Sequence, residues 1–93
     1  MYATVRTYSG STELADALVA HAGAVEQLIS GIDGFKAYYM VRTADGAASI
    51  SIYESEAGAN ASTGAAAGWI RENLPDIGGN PPQVSAGEVV LTF

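Results

Sequence analysis

The sequence predicts an α+β fold, one antiparallel sheet of four strands with two helices on one of its faces. Three observations carry this expectation. Short runs rich in β-branched and aromatic residues alternate with two longer segments of helical periodicity, in the order β-α-β-β-α-β. The two middle strands are joined by a tight Ala44-Asp45-Gly46 turn. The chain is 93 residues long with no linker or internal repeat, so residues 1–93 read as a single domain.

Tyr2 to Tyr8, rich in Tyr, Thr and Val, reads as the first strand and ends at Ser9-Gly10. Ser11 to Ser30 reads as a helix with Ser11 or Thr12 as its N-cap. Leu14, Leu18, His21, Val25 and Leu28 recur at spacings of 4, 3, 4 and 3. At about 100° per residue they form one stripe. Gly31 is expected to stop this helix in the left-handed conformation. Gly34 to Thr43 is the second strand, and the Asp-Gly turn after it is expected to adopt positive φ. Ala47 to Glu54 is the third strand, where Ala48, Ile50 and Ile52 alternate with Ser49, Ser51 and Tyr53. Ser55 caps a second helix that runs to Leu74, before Pro75. A loop over 76–82 leads to a last strand, from Gln83 or Val84 to Phe93. Right-handed crossovers then put both helices on the same face, the ferredoxin-like arrangement.

Composition narrows function by exclusion. Apolar residues make up 48 % of the chain, but seventeen are Ala and only twenty are Leu, Ile, Val or Phe. A chain this short buries about 60–65 % of its unfolded surface. So thin a core calls for burial against a partner, most simply a second copy. The net charge of −6, with Arg6, Lys36, Arg42 and Arg71 as the only basic residues, disfavours nucleic acid and anionic membranes. Without cysteine there is no disulfide, thiolate nucleophile or zinc finger. The lone His21 rules out a multi-histidine metal site within one chain, so neither metal nor cofactor is expected. No run of 18 apolar residues occurs, so no membrane span is expected. The opening Met1-Tyr2-Ala3-Thr4-Val5-Arg6 lacks the features of an export signal, and the expected location is the cytoplasm.

Alternation sorts the strand residues into two faces but does not label them. The phase chosen places Val5, Ala37, Tyr39, Val41, Ile50 and Ile52 toward the helices, which keeps Lys36 and Arg42 away from them. Tyr2, Thr4, Arg6, Tyr8, Lys36, Tyr38, Met40, Arg42, Ser49, Ser51 and Tyr53 then face away. Three of the four basic residues and four of the five tyrosines would share that bare face. Meeting its symmetry mate, it would enclose a polar, aromatic cavity. The plainer alternative is a solvated face whose charges pair with acids such as Glu88.

The element order resembles the dimeric α+β barrel superfamily, most closely the antibiotic biosynthesis monooxygenase-like domains. The carrying residues are the strand Tyr2 to Tyr8, the segment Gly34-Phe35-Lys36-Ala37-Tyr38-Tyr39, and Ile52-Tyr53-Glu54 running into a helix. The resemblance covers nearly the whole chain as a pattern rather than a signature. It implies a homodimer in which two sheets pack into a barrel, with a pocket between each sheet and its helices. Members include cofactor-independent oxygenases of aromatic polyketides and haem-degrading enzymes. The sequence departs from them in two places. Glu56 stands where an aromatic, commonly Trp, is frequent, and Gly58-Ala59-Asn60-Ala61-Ser62 lacks the His often found there.

Several side chains could carry chemistry. His21 could serve as a general base near neutral pH, or sit satisfied in the core. Tyr38 and Tyr53 are the further catalytic candidates, although a phenol with pKa about 10 is no base unaided. Trp69 could stack on a flat ligand or simply plug the core. Arg6 and Arg42 could hold a carboxylate or enolate, or bridge two subunits. Tyr8 and Met40 complete the substrate-binding candidates. Gly64 and Gly68 share a face of the second helix with Ala57 and Ala61, expected to point outward. Two functions follow. One is a homodimeric barrel binding a small hydrophobic or aromatic molecule, with cofactor-independent monooxygenation of a flat phenolic substrate as its reaction. The other is a non-catalytic homodimeric binding or structural module.

Overall fold

The computed structural model describes residues 1–10, 12–77 and 81–93. Strand β1 (Tyr2–Ser9) is followed by helices α1 (Leu14–Ala20) and α2 (Ala22–Ser30). Strands β2 (Phe35–Thr43) and β3 (Gly46–Tyr53) form a hairpin, and helix α3 (Glu56–Asn73) leads to β4 (Gln83–Glu88). The sheet order is β2-β3-β1-β4 and every pairing is antiparallel. This is the ferredoxin-like α+β arrangement expected from the element order.

Local chemistry sets the element boundaries, and several differ from expectation. The first helical segment is broken at His21, whose φ of −110° and ψ of 27° leave the helical region. Ala20, Ala22, Gly23 and Ala24 offer no large apolar side chain to hold that turn, and glycine weakens a helix by about 1 kcal/mol. Each half therefore follows its own anchor, Leu14 and Leu18 for α1 and Ile29 for α2. The buried position accordingly moves from the expected Leu28 to Ile29. Glu13 is the N-cap without a side-chain bond; Thr12 lies in the turn before it, and Ser11 falls outside the described residues. Gly31 ends α2 at φ −76°, so the left-handed stop is not there. Positive φ occurs instead at Gly10 (75°) and at Gly34 (85°), which launches β2.

The hairpin turn also lacks positive φ. Gly46 is needed for space, because a Cβ there would lie 2.0 Å from the Tyr8 carbonyl oxygen across the β1–β3 pairing. Ser55 caps α3 as expected, its hydroxyl accepting from the Gly58 N–H. Of the expected loop over 76–82, residues 78–80 lie outside the described residues. The last strand stops at Glu88 rather than Phe93, because its partner β1 runs out at Tyr2. Past that point the Val89 N–H reaches the Met1 carbonyl, and Val90, Leu91 and Phe93 project almost fully exposed.

The face assignment is the main correction. Thr4, Arg6 and Tyr8 are buried beneath the helices, as are Ser49, Ser51 and Tyr53. The bare side carries Val5, Tyr39 and Val41, 36 %, 58 % and 45 % exposed, with Ile50 and Ile52 beside them in register. Charge avoidance misled the phase, because Arg42 and Lys36 escape burial locally. Arg42 reaches from the edge strand to Asp16 of α1, 2.6 Å away. Lys36 occupies a bulge between Phe35 and Ala37 and pairs with Glu54 at 2.9 Å. The tyrosine- and arginine-bearing wall shared by two subunits is therefore not formed.

Beneath the helices the core has two apolar clusters. Tyr8, Leu14, Leu18 and Leu74 form one, with Trp69 and Ile70 against it. Ile29, Tyr53 and Ala59 form the other, with Phe35 and Tyr38 alongside. The β1–β3 register sets Thr4 opposite Ser51 and Arg6 opposite Ser49, a polar seam along the sheet between Tyr53 and Tyr8.

Candidate functional site

The seam is organised around Arg6, only 1 % exposed. Its Nε donates to Ser49 at 3.1 Å and its Nη2 to Ser51 at 2.7 Å, both on β3. Its Nη1 donates to Ser62 and Thr63 on α3, each at 3.1 Å. Among the described residues no carboxylate pairs with it; the ion pairs are Lys36–Glu54 and Arg42–Asp16. A buried guanidinium held only by neutral oxygens is an uncompensated charge. The first half of helix α3 fits this role because its inner face carries little bulk. Gly58 lies where a Cβ would come within 3.0 Å of Tyr53, and Ala59 and Ser62 are fully buried. Gly64 and Ala61 look outward, as expected. Thr4 Oγ1, in the same seam, is buried without a hydrogen-bond partner.

Three tyrosines border the seam. Tyr53 donates to the Ile29 carbonyl at 2.6 Å, tying the sheet to α2. Burial pushes the phenols of Tyr8, Tyr38 and Tyr53 above their ordinary value, and the nearby Arg6 charge offsets part of that rise. All three stay protonated at neutral pH, so none is a base there.

A cleft of about 480 Å3 opens between α1–α2 and β2. Leu18, Val25, Ile29, Phe35, Tyr38 and Met40 are among its walls, with Glu26 and Ser30 also on its lining. Its lining is shared with a small inner crevice of about 20 Å3, where Tyr8, Tyr38, Ser49 and Trp69 meet. Tyr38, Met40, Tyr8 and Trp69 are thus brought together, with Arg6 directly behind Ser49. Three candidates are not part of this group. Tyr53 is buried as a strut to Ile29. Arg42 is engaged by Asp16 at the surface. His21 is exposed at the helix break, its ring edge-on to Trp69 at 5.4 Å, and lines neither space. The break swings it off the stripe that periodicity assigned to it.

Sequence reasoning missed the hydroxyl shell of Ser49, Ser51, Ser62 and Thr63. A signal existed. Ser49 and Ser51 alternate with isoleucines, and Ser62-Thr63 interrupt a run of Ala and Gly. Among the described residues no cluster of His, Cys, Asp or Glu could hold a metal ion, and no helix is long and apolar enough to cross a membrane.

Compared by sequence, the chain matches no protein-family model and no curated protein. Compared by structure, it is similar to an MhuD variant with two manganese protoporphyrin IX molecules bound per active site. That match has a TM-score of 0.74 at 13 % identity and covers 100 % of this chain and 98 % of the other. A candidate antibiotic biosynthesis monooxygenase from Nitrosomonas europaea superposes with a TM-score of 0.71 at 17 % identity, covering 98 % and 100 %. The ActVA-Orf6 monooxygenase of Streptomyces coelicolor, in complex with nanaomycin D, gives 0.62 at 22 % identity, covering 98 % and 91 %. The fold is that of the antibiotic biosynthesis monooxygenase-like proteins. At these identities the likeness is one of architecture, and the sheet order and helix placement described above account for it.

Proposed function

We propose that this chain works as a homodimer that binds a small hydrophobic or aromatic molecule in the cleft between its helices and its sheet. The cleft itself is the observation that carries the reading. Its volume of about 480 Å3 and its mostly apolar walls match a ligand site, where a few polar groups set orientation. Architectural neighbours supply context, since one holds nanaomycin D and another a metalloporphyrin.

The dimer is supported by the bare side of the sheet, where Val5, Tyr39, Val41, Ile50 and Ile52 form one apolar surface. A contiguous patch of that kind marks an interface. Two copies related by a two-fold axis would cover it with the same residues from each side. The exposed Val90, Leu91 and Phe93, which follow β4 in the chain, are further apolar side chains left uncovered.

Binding is what the cleft supports best, because its Tyr38 is held protonated, His21 lies outside it, and its one carboxylate, Glu26, stands among mostly apolar walls. Cofactor-independent monooxygenation of a flat phenolic molecule is the second reading, favoured by the likeness to the ActVA-Orf6 structure. A panel of small aromatic molecules, scored by thermal shift, tests the first reading. Hits should be lost in Ala22→Trp, which plugs the cleft, and kept in His21→Ala. Hits that survive Ala22→Trp place binding elsewhere and reject it. Oxygen uptake with the same hits, without added flavin or metal, separates the second reading from the first.

A further inference from the structure

Among the described residues that line the cleft, Glu26 is the one charged side chain. Ala22, Val25, Glu26, Ile29 and Ser30 recur at helical spacing, so one stripe of α2 faces that space. Within the stripe Ala22, Glu26 and Ser30 follow at intervals of four residues, about one turn apart. These three are exposed, whereas Ile29 is buried and Val25 half-buried, so they form the outer row at the mouth. Both neighbours of Glu26 in that row are short and leave its carboxylate room. The Ser30 hydroxyl donates to the Glu26 main-chain carbonyl at 2.5 Å, so its hydrogen is not offered to the carboxylate.

No basic side chain balances this carboxylate among the described residues. Lys36 is paired with Glu54 and Arg42 with Asp16. Arg71 lies on α3 and makes no ion pair with Glu26. Arg6 lines neither the cleft nor the crevice, and its bonds go to four hydroxyls. Its charge is nevertheless felt at the inner end, where it holds back the rise of the Tyr38 phenol. The cleft is therefore polarised along its length, with a free carboxylate at the mouth and a cation behind the inner wall. Between them stand apolar and aromatic side chains, among them Ile29, Phe35 and Met40. Aromatic surface of this kind is compatible with a positive charge nearby, since the ring face is the negative end of its quadrupole.

We propose that the cleft takes an organic ammonium carried on a small apolar body, the ammonium held at the mouth by Glu26 and the body directed inward toward Ile29, Phe35 and Met40. The cation behind the inner wall disfavours the reverse orientation. Charge complementarity decides the sign, because Glu26 meets the cleft with its acceptors unspent whereas Arg6 is set back behind Ser49. The inference rests on the cleft reading and adds to it the sign and the position of the ligand's charge.

The test uses the full chain and three probes of matched size: α-naphthylmethylamine, an ammonium at neutral pH, α-naphthalenemethanol, which is neutral, and α-naphthoate, an anion. Equilibrium dialysis at physiological salt gives their dissociation constants. The ammonium should bind about fivefold more tightly than the alcohol, the scale of a partly solvated ion pair, and the naphthoate should bind less tightly than either. Glu26→Gln should bring the ammonium to within about twofold of the alcohol and leave the alcohol's affinity as it was. This variant should fold, because the Glu26 side chain is exposed and is in neither ion pair of the described residues. Glu72→Gln changes the net charge equally at an exposed position of α3 and should leave the ratio alone. A preference that survives Glu26→Gln, or that falls as far in Glu72→Gln, belongs to the acidic surface at large and overturns the proposal. Naphthoate binding more tightly than the ammonium overturns it too. The Met40 methyl resonance should shift with the ring current of the bound ammonium probe, and an unmoved Met40 rejects the inward placement of the body. Ammonium and alcohol binding equally well rejects the charged head but leaves the cleft as a ligand site. Failure of all three probes to bind, or binding that survives Ala22→Trp, rejects both readings.

Discussion

On one side of β1, Arg6 reaches four hydroxyls under the helices; on the other side of the same strand, Val5 meets no covering layer. The contrast repeats across the sheet. Ser49 and Ser51 point inward while Ile50 and Ile52 point outward, and Tyr38 and Met40 point inward while Tyr39 and Val41 point outward. The polar side is the covered one. It can be covered because helix α3 brings Ser62 and Thr63 against it, so that the donors of Arg6 find acceptors. The apolar side is left for another surface. Burial within the chain and apolar character are separate properties here, a difference that the homodimer proposed above would account for.

The largest expected effect comes from breaking the bare side. Ile50 pairs with Val5 on β1 and Tyr39 on β2, which puts it in the middle of the apolar surface. Ile50→Asp would bury an unpaired carboxylate at the centre of the interface, a cost of several kcal/mol on the scale of about 3–5 kcal/mol for isolated buried charges. Sedimentation should show the wild type as a dimer and this variant as a monomer at micromolar concentration. A variant that sediments like the wild type would remove the bare face from the interface.

The covered side should respond in stability rather than association. Arg6→Ala removes a large buried side chain and leaves Ser49, Ser51 and Thr63 without their donor, so unfolding should become easier by about 3 kcal/mol. For a domain near this size that corresponds to a melting point lower by roughly 12–24 °C. Arg6→Met sharpens the comparison, since it fills much of the same space and removes the desolvation cost of an unpaired charge. It should lie within about 1 kcal/mol of wild type in stability. Equal losses for the two variants would mean that hydrogen bonding, not volume and charge, governs the seam.

How far this was legible in the sequence depends on the kind of information asked for. The element order and the Ser55 cap could be read because each depends on neighbours in the chain. The sheet phase could not, because Ser49-Ile50-Ser51-Ile52 defines two faces without saying which is covered. That choice is made by α3, whose small residues accept a polar sheet face, and by local exits for Lys36 and Arg42. Of the candidate site, Tyr38, Met40, Tyr8 and Trp69 converge as a group. His21 does not, because periodicity assumes an unbroken helix and the chain bends at that residue. The hydroxyl shell escaped because serine is usually a surface or turn residue, and only the Arg6 geometry gives these four a common purpose.

A smaller effect is expected within the core cluster of Ile29, Tyr53 and Ala59. Tyr53 is fully buried and its hydroxyl is the strut from β3 to the Ile29 carbonyl. Tyr53→Phe keeps the ring, including its edge-on contact with Phe35 at 5.8 Å, but leaves that carbonyl without this donor. The cost should be about 1–2 kcal/mol in chemical denaturation, with no change in association. A change in the dimer's dissociation constant would show that the two sides of the sheet are coupled through β3.

The smallest effect appears only in alkali and separates the two sides without a mutation. Tyr8 and Tyr38 have folded-state pKa values raised above those of the unfolded chain, chiefly by burial. For such groups the folded state resists losing the proton that the unfolded state gives up. The associated stability is therefore whole below the unfolded phenol pKa of about 10 and declines as pH rises toward the folded values. Denaturation followed across that range should show stability falling above pH about 10, and Tyr38→Phe should make the fall shallower. Because Arg6 partly offsets the rise at both phenols, Arg6→Met should push their folded values further up and delay tyrosinate absorbance in the native protein. Tyrosinate appearing at the same pH in both proteins would mean that the Arg6 charge does not reach the crevice, and the link between the polar seam and the ligand cleft would be lost.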